Sequence, residues 1–155
     1  MFELNAIRNF LQLSERLGTS GMPRPDQFAA IRDAGFEVVI NLAMPTSDNA
    51  MPNEGNLVTS AGMTYVHIPV NFEAPRPADF DRFSKLLDGL SEQRVYVHCA
   101  ANMRVSAFVF LHRVLRGESR DQAERDLKRI WNPDGVWREL INSRLTLAGY
   151  PPLLD

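Results

Sequence analysis

The sequence predicts an α/β fold: a central, mostly parallel sheet of about four to five strands flanked by helices, with helices alone at the carboxyl end. Three observations predict it. The runs FEVVINL (36–42), TYVHIPV (64–70) and RVYVH (94–98) are short and rich in β-branched residues, as buried strands are. Segments with apolar residues at helical spacing separate them. Beyond Gly117 only helical patterns remain. A chain of 155 residues, 45% hydrophobic and 23% charged, suits one domain over 1–155 with its own core. That composition excludes a disordered chain, a coiled coil and a low-complexity linker.

The elements follow in order. Leu4, Ile7, Phe10 and Leu11 recur at helical spacing and predict a short opening helix. Gly18–Pro25 is turn-rich. Pro25 then starts a helix that places Phe28, Ile31 and Ala34 on one face, and Gly35 stops it. After the first strand run, AMPTSDNAMPNEG reads as a loop, with a short helix over Asn53–Ala61 ending at Gly62. NFEAPRP, Asn71–Pro77, is a proline-punctuated loop. Phe80, Phe83, Leu86, Leu87 and Leu90 mark the next helix, and an apolar helix over Val105–Arg116 follows the last strand run. Ser119 with Gln122 forms a capping box for a helix whose face is Ala123, Leu127, Ile130 and Trp131. Pro133 breaks it. Asp134 caps a final helix carrying Trp137, Leu140, Ile141 and Leu145.

Charge and cysteine content narrow the function classes. The net charge is −2, which does not favour adhesion to nucleic acid or an anionic membrane. Between Arg94 and Arg144 ten basic residues face six acidic ones, spread over helical faces rather than gathered into a nucleic-acid stripe. The single cysteine excludes an intramolecular disulfide. His67, His98 and His112 are too scattered for a metal site, and no cofactor is expected. His67, within a strand, reads as packed, and His112 as structural. The opening MFELNAIRNF has no signal-peptide pattern, and the longest apolar run is Ala107–Leu111, so the expectation is a cytoplasmic protein. Oligomeric state is not legible.

The chemistry concentrates in VYVHCAANMRVSAF, 95–108. A strand, a tight loop and a helix in succession place a helix N-terminus at the sheet's carboxyl edge, where ligands of open α/β sheets bind. Backbone N–H groups of Ala100, Ala101, Asn102, Met103, Arg104 and Val105 would cradle an anion there, with the helix dipole in support. The same field favours a thiolate at Cys99, and the thiolate is the nucleophile. Arg104 offers a fork for two oxygens of a phosphate or a sulfur oxyanion. His98 would orient the loop and tune the thiolate. Asn41, at the end of another strand run, would brace the loop or form a strand-terminal turn.

HCAANMR resembles the signature of cysteine-dependent protein tyrosine and dual-specificity phosphatases. SGMP, DAGFEVVINL and YVHIPV precede it in the order of compact dual-specificity-like members, and the likeness is greatest to a small bacterial phosphatase-like branch with a shortened loop. The resemblance covers roughly residues 17–130 and implies a parallel sheet flanked by helices. It implies that Cys99 attacks phosphorus, that Arg104 and the loop amides hold the oxygens, and that Ser106 assists the leaving thiolate. The partner would be a phosphorylated substrate or another tetrahedral oxyanion.

Two departures from that pattern stand out. Four residues rather than five separate Cys99 from Arg104, and Val105 follows the arginine where Ser or Thr is usual. Either the loop has lost a residue, which the helix end at Arg116–Gly117 favours, or Arg104 sits one place early, which Ser106 favours. Asn102 stands for the usual loop glycine, as a residue that tolerates a left-handed backbone. A four-residue spacing is also the length of rhodanese-like sulfurtransferase loops, in which the cysteine carries a persulfide. The second departure is the general acid: the expected aspartate falls near Asn71 or Phe72. Glu73 is the nearest replacement, and Asp79 and Asp81 lie farther along. A catalytically inactive anion-binding module is the remaining alternative.

Overall fold

The computed structural model describes residues 3–154. Its centre is a five-stranded sheet of order β1-β2-β5-β3-β4, formed by β1 (Leu11–Ser14), β2 (Leu17–Ser20), β3 (Val38–Asn41), β4 (Thr64–His67) and β5 (Val95–His98). Among the described strands, β1 and β2 pair antiparallel and the other neighbours are parallel. Among the described residues, six α-helices surround the sheet: α1 (Phe28–Asp33), α2 (Glu54–Ser60), α3 (Pro77–Gly89), α4 (Met103–Leu115), α5 (Arg120–Lys128) and α6 (Gly135–Leu147).

Alternation along the strands divides the core. Val38, Ile40, Val95, Val97 and Cys99 face the side covered by α3 to α6, whereas Val39 and Tyr96 face the side of Phe28, Ile31, Val58 and Met63. α4 is buried from Arg104 to Val114, so it carries apolar residues all round rather than a single stripe. Phe108 meets Phe80, Phe83 and Trp137 with ring centroids 5.4 to 5.9 Å apart. On the edge of α4, Arg113 pairs with Asp126 of α5 at 2.7 Å, which fixes these two helices to each other.

The opening of the chain differs from the sequence expectation. The helix predicted over Leu4–Leu11 is one 3-10 turn, Leu4–Ala6, followed by strand β1, and the predicted turn from Gly18 begins inside β2. Leu11, Gln12, Leu13 and Ser14 alternate inward and outward, a period-two pattern too short to compete with the helical spacing before it. Pairing with β5 is what makes β2 a strand. Gly18 is needed there, since a Cβ would lie 2.9 Å from the Phe36 ring. Later elements match, with trimmed ends. Gly35, Gly62 and Gly117 take φ of +97°, +94° and +81° after their helices, as predicted stops do. The Ser119 hydroxyl accepts the Gln122 N–H at 3.3 Å. Asp134 occupies the position before α6 without a side-chain capping bond. His67 is exposed rather than packed, because β4 is the edge strand; its Nε2 lies 2.7 Å from the Ala43 carbonyl oxygen. His112 is buried against the Ser84 hydroxyl at 2.8 Å. No helix among the described residues is long and apolar enough to cross a membrane.

Candidate active site

Strand register builds the site. Ser20, His98 and Asn41 stand side by side at the carboxyl edge of β2, β5 and β3, and the chain leaves β5 there through Cys99. Cys99 is buried, and its N–H donates to the Ser20 carbonyl at 3.3 Å. Ala100 and Ala101 turn the chain. Asn102 then adopts φ +69°, the left-handed conformation expected of it, and α4 begins at Met103. The first helical bond runs from the Ser106 N–H to the Asn102 carbonyl, 2.9 Å. The N–H groups of Met103, Arg104 and Val105 therefore have no acceptor in their own helix and carry the positive end of its dipole.

Arg104 is 6% exposed. One guanidinium nitrogen, Nη1, donates to the Val70 carbonyl at 2.9 Å, and the group sits 5.9 Å from the Phe72 ring centroid. This fixes the fork beside the loop after β4. Above lies a cleft of about 470 Å³, walled by Ala101 and Arg104 on one side and by Glu73, Asp48, Asn49 and Arg8 on the others.

The structure brings some expected residues together and disperses others. Glu73 is exposed in the cleft wall, its N–H donating to the Asn71 side chain at 3.0 Å. Asp79 is buried and paired with Arg76 at 2.7 Å, and Asp81 is paired with Arg144 at 2.5 Å. Neither lines this cleft. Ser106 Oγ donates to the Met103 carbonyl at 3.0 Å and accepts the Trp131 indole N–H at 3.1 Å, so its bonds go to the helix and α5 side rather than to Cys99. Asn41 makes the turn after β3 by accepting the Ala43 N–H at 2.8 Å. Its other side-chain bonds go to Glu54 and Tyr65 rather than to the loop.

Sequence reasoning missed two carboxylates. Glu54, at the start of α2, is buried: its Oε2 lies 2.5 Å from His98 Nε2, and its Oε1 accepts from Asn41 Nδ2 at 3.3 Å. His98 Nδ1 in turn lies 3.2 Å from the Cys99 carbonyl oxygen. Asn41 also donates to the Tyr65 oxygen at 3.1 Å. Burial, with a smaller contribution from the Glu54 charge, raises the Tyr65 phenol above its ordinary pKa against the opposing Asn41 hydrogen bond. A carboxylate behind the loop was hidden because a helix-initial Glu reads as a solvated cap. Asp48 was missed as well. Its signal was topological: the segment after β3 must leave from the same sheet edge as Cys99.

A cysteine at the sheet edge, an arginine in the first turn of the following helix and unpartnered N–H groups between them define a cysteine-dependent tyrosine/dual-specificity phosphatase-like protein. The family model described as DSP-PTPase phosphatase fused to NAD+ kinase matches residues 15–140, and the chain belongs to that family. It is similar to a candidate phosphatase (DUF442) from Shewanella putrefaciens CN-32, with 36% identity over 95% of this chain and 97% of that one and a TM-score of 0.83. It is 31% identical to a beta-lactamase hydrolase-like protein of Xylella fastidiosa over 74% of its own length, and spans only 27% of that protein. The structure of PTPMT1 in complex with PI(5)P shares the fold, with a TM-score of 0.74 at 14% identity.

Proposed function

We propose that the protein hydrolyses phosphate monoesters, of the phosphotyrosine-like or small aryl class, through a phosphocysteine. The observation that carries this reading is the Cys99–Arg104 loop: a buried cysteine at the end of β5 is followed five residues later by Arg104 in the first turn of α4, and Arg104 lines the cleft together with Ala100 and Ala101. The Cys99 thiolate attacks phosphorus in line, forming the S–P bond as the ester P–O bond breaks. Arg104 and the N–H groups of the loop and first helical turn hold the equatorial oxygens in the transition state. Glu73 gives its proton to the leaving oxygen, then takes one from the water that attacks phosphorus. The S–P bond breaks, and inorganic phosphate and the thiolate are released. Asp48 is the other carboxylate of the cleft wall. Ser106 is not assigned the leaving-thiolate role, because its bonds are made elsewhere.

The four-residue spacing favours a second reading, sulfur transfer through a Cys99 persulfide. Purified wild type and Cys99→Ser should be assayed with an aryl phosphate and with thiosulfate plus cyanide. Cysteine-dependent phosphate release supports the main reading. Thiocyanate formation without phosphate release supports the second. Anion binding with neither activity would make this a binding module.

A further inference from the structure

The loop between Cys99 and Arg104 is one residue shorter than the phosphatase pattern and has no glycine, so its shape must be enforced from outside. Two asparagines outside the loop, Asn9 and Asn49, and one within it, Asn102, tie it down. Asn9 Nδ2 donates to the Ala101 carbonyl at 2.9 Å, and Asn102 Nδ2 donates back to the Asn9 carbonyl at 2.8 Å. These two are the non-glycine residues at positive φ among the described residues, +53° and +69°. They lock to each other across more than ninety positions of sequence. Asn49 Nδ2 donates to the Ala100 carbonyl at 3.1 Å, and the Met22 N–H donates to the same oxygen, also at 3.1 Å.

Resting on the phosphatase reading of this cleft, we infer that Asn9 and Asn49 are positioning residues that hold the short loop in its anion-binding shape. The physical route is the planar trans peptide, which sends the N–H of one residue opposite to the C=O of the residue before it. Tying the Ala100 oxygen outward to Asn49 and Met22 turns the Ala101 N–H inward, toward the Cys99 side. Tying the Ala101 oxygen to Asn9 fixes the peptide that leads into left-handed Asn102, and so the point at which α4 starts and where the N–H groups of Met103, Arg104 and Val105 aim. Neither asparagine touches the reacting atoms through these bonds. They act through the loop backbone, and pre-aimed donors are what stabilise charge developing in a transition state.

The test uses Asn9→Gly, Asn9→Asp and Asn49→Ala in the full chain. Glycine removes the anchor while easing the positive φ, so loss of function in Asn9→Gly is not backbone strain. Aspartate keeps the shape but sets an acceptor against the Ala101 carbonyl. Three readouts are compared with wild type: kcat on an aryl phosphate, inhibition by vanadate, and the rate of Cys99 alkylation by iodoacetamide at about pH 6, which reports the thiolate fraction. Each variant should lose about tenfold or more in kcat with a much smaller change in KM, as expected when a transition-state donor is misaimed. Vanadate inhibition and alkylation should weaken in parallel while the thermal midpoint stays near wild type. Variants that match wild type in all three readouts overturn the proposal. So do variants whose losses are only proportional to a fall in thermal stability. The alkylation arm needs no turnover. If wild type releases no phosphate but the variants slow alkylation, the phosphatase reading fails and the positioning role stands. If wild type turns over and the variants are indistinguishable from it, the positioning role fails alone.

Discussion

Two loops leave the same sheet edge, and they are held differently. In the loop after β5, Cys99 and Asn102 are buried and Ala100 and Ala101 half-buried, and the loop is tied by the Asn9 and Asn49 side chains and by the Ser20 and Met22 backbone. The loop after β4, Asn71–Pro77, is mostly exposed; among the described residues the Glu73 carboxylate has no hydrogen-bond or ion-pair partner, and the loop is held through its backbone, by Asn71 to the Glu73 and Ala74 N–H groups and by the Trp137 indole N–H to the Phe72 carbonyl. The difference teaches where this protein is preorganised. In the proposed mechanism the nucleophile and the oxyanion donors stand on the tied loop, so their removal should be costly for every substrate. In the proposed mechanism the acid, Glu73, stands on the exposed loop, and its removal should matter only where the leaving group needs a proton.

Breaking the fixed loop should give the largest effects. Cys99→Ser should abolish phosphate release, since a serine hydroxyl there has no adjacent base to activate it. Arg104→Lys should lower kcat/KM by about a hundredfold or more, because an ammonium cannot make bidentate contact with the phosphoryl group. Steady-state kinetics on one aryl phosphate checks both.

Gly21→Ala tests the support of the same loop from below. A Cβ at Gly21 would lie 2.7 Å from the Ala100 oxygen and 3.1 Å from the Ala101 Cα, contacts with backbone that cannot swing aside. We expect kcat to fall about tenfold or more, since a misaimed donor weakens the transition state, with vanadate inhibition lost alongside it. Retained vanadate inhibition at wild-type strength would show that the loop tolerates displacement.

The exposed loop sharpens the contrast. Glu73→Gln should cost about a hundredfold with a poor leaving group and little with an activated aryl phosphate, and the basic limb of the pH–rate profile should flatten. Asp48→Asn should leave that profile unchanged. The reverse result would transfer the acid to the segment after β3, and two neutral variants would leave the enzyme without a dedicated acid.

The smallest expected effect is on stability. His112 is held below its ordinary pKa, chiefly by burial and secondarily by Arg116. The unfolded chain then binds a proton more readily than the fold does, so this contribution is present above the unfolded value of 6.5 and is lost as pH falls from there toward the depressed folded value. Thermal melts at pH 7.5 and about 5.5 should show a smaller acid-induced drop for His112→Gln than for wild type.

Much of this was legible in sequence. The β-branched runs, the helix-stopping glycines and HCAANMR located β3, β4 and β5, the α-helices and the loop between β5 and α4, because each is a local pattern. β1 and β2 were not legible: LQLS and LGTS are four residues each and take strand form from β5, a partner far along the chain. The site divided likewise. Cys99 and Arg104 declared themselves by spacing, and Asn102 by standing where a left-handed residue is needed. Glu54, Asp48, Asn9 and Asn49 did not, since their relevance lies in a carbonyl, an imidazole or a cleft that only the topology brings within reach. Asp79 and Asp81 illustrate the converse: near in sequence to the expected acid, they are spent on Arg76 and Arg144.

The central claim, that Cys99 on this loop accepts a phosphoryl group, is tested most directly by rapidly acid-quenching wild-type protein during aryl phosphate turnover and mapping adducts by mass spectrometry. The account predicts one phosphoryl group on the peptide containing Cys99, absent from Cys99→Ser and suppressed by vanadate. Turnover with no such adduct, or a peptide that carries only an added sulfur atom after thiosulfate treatment, would contradict it.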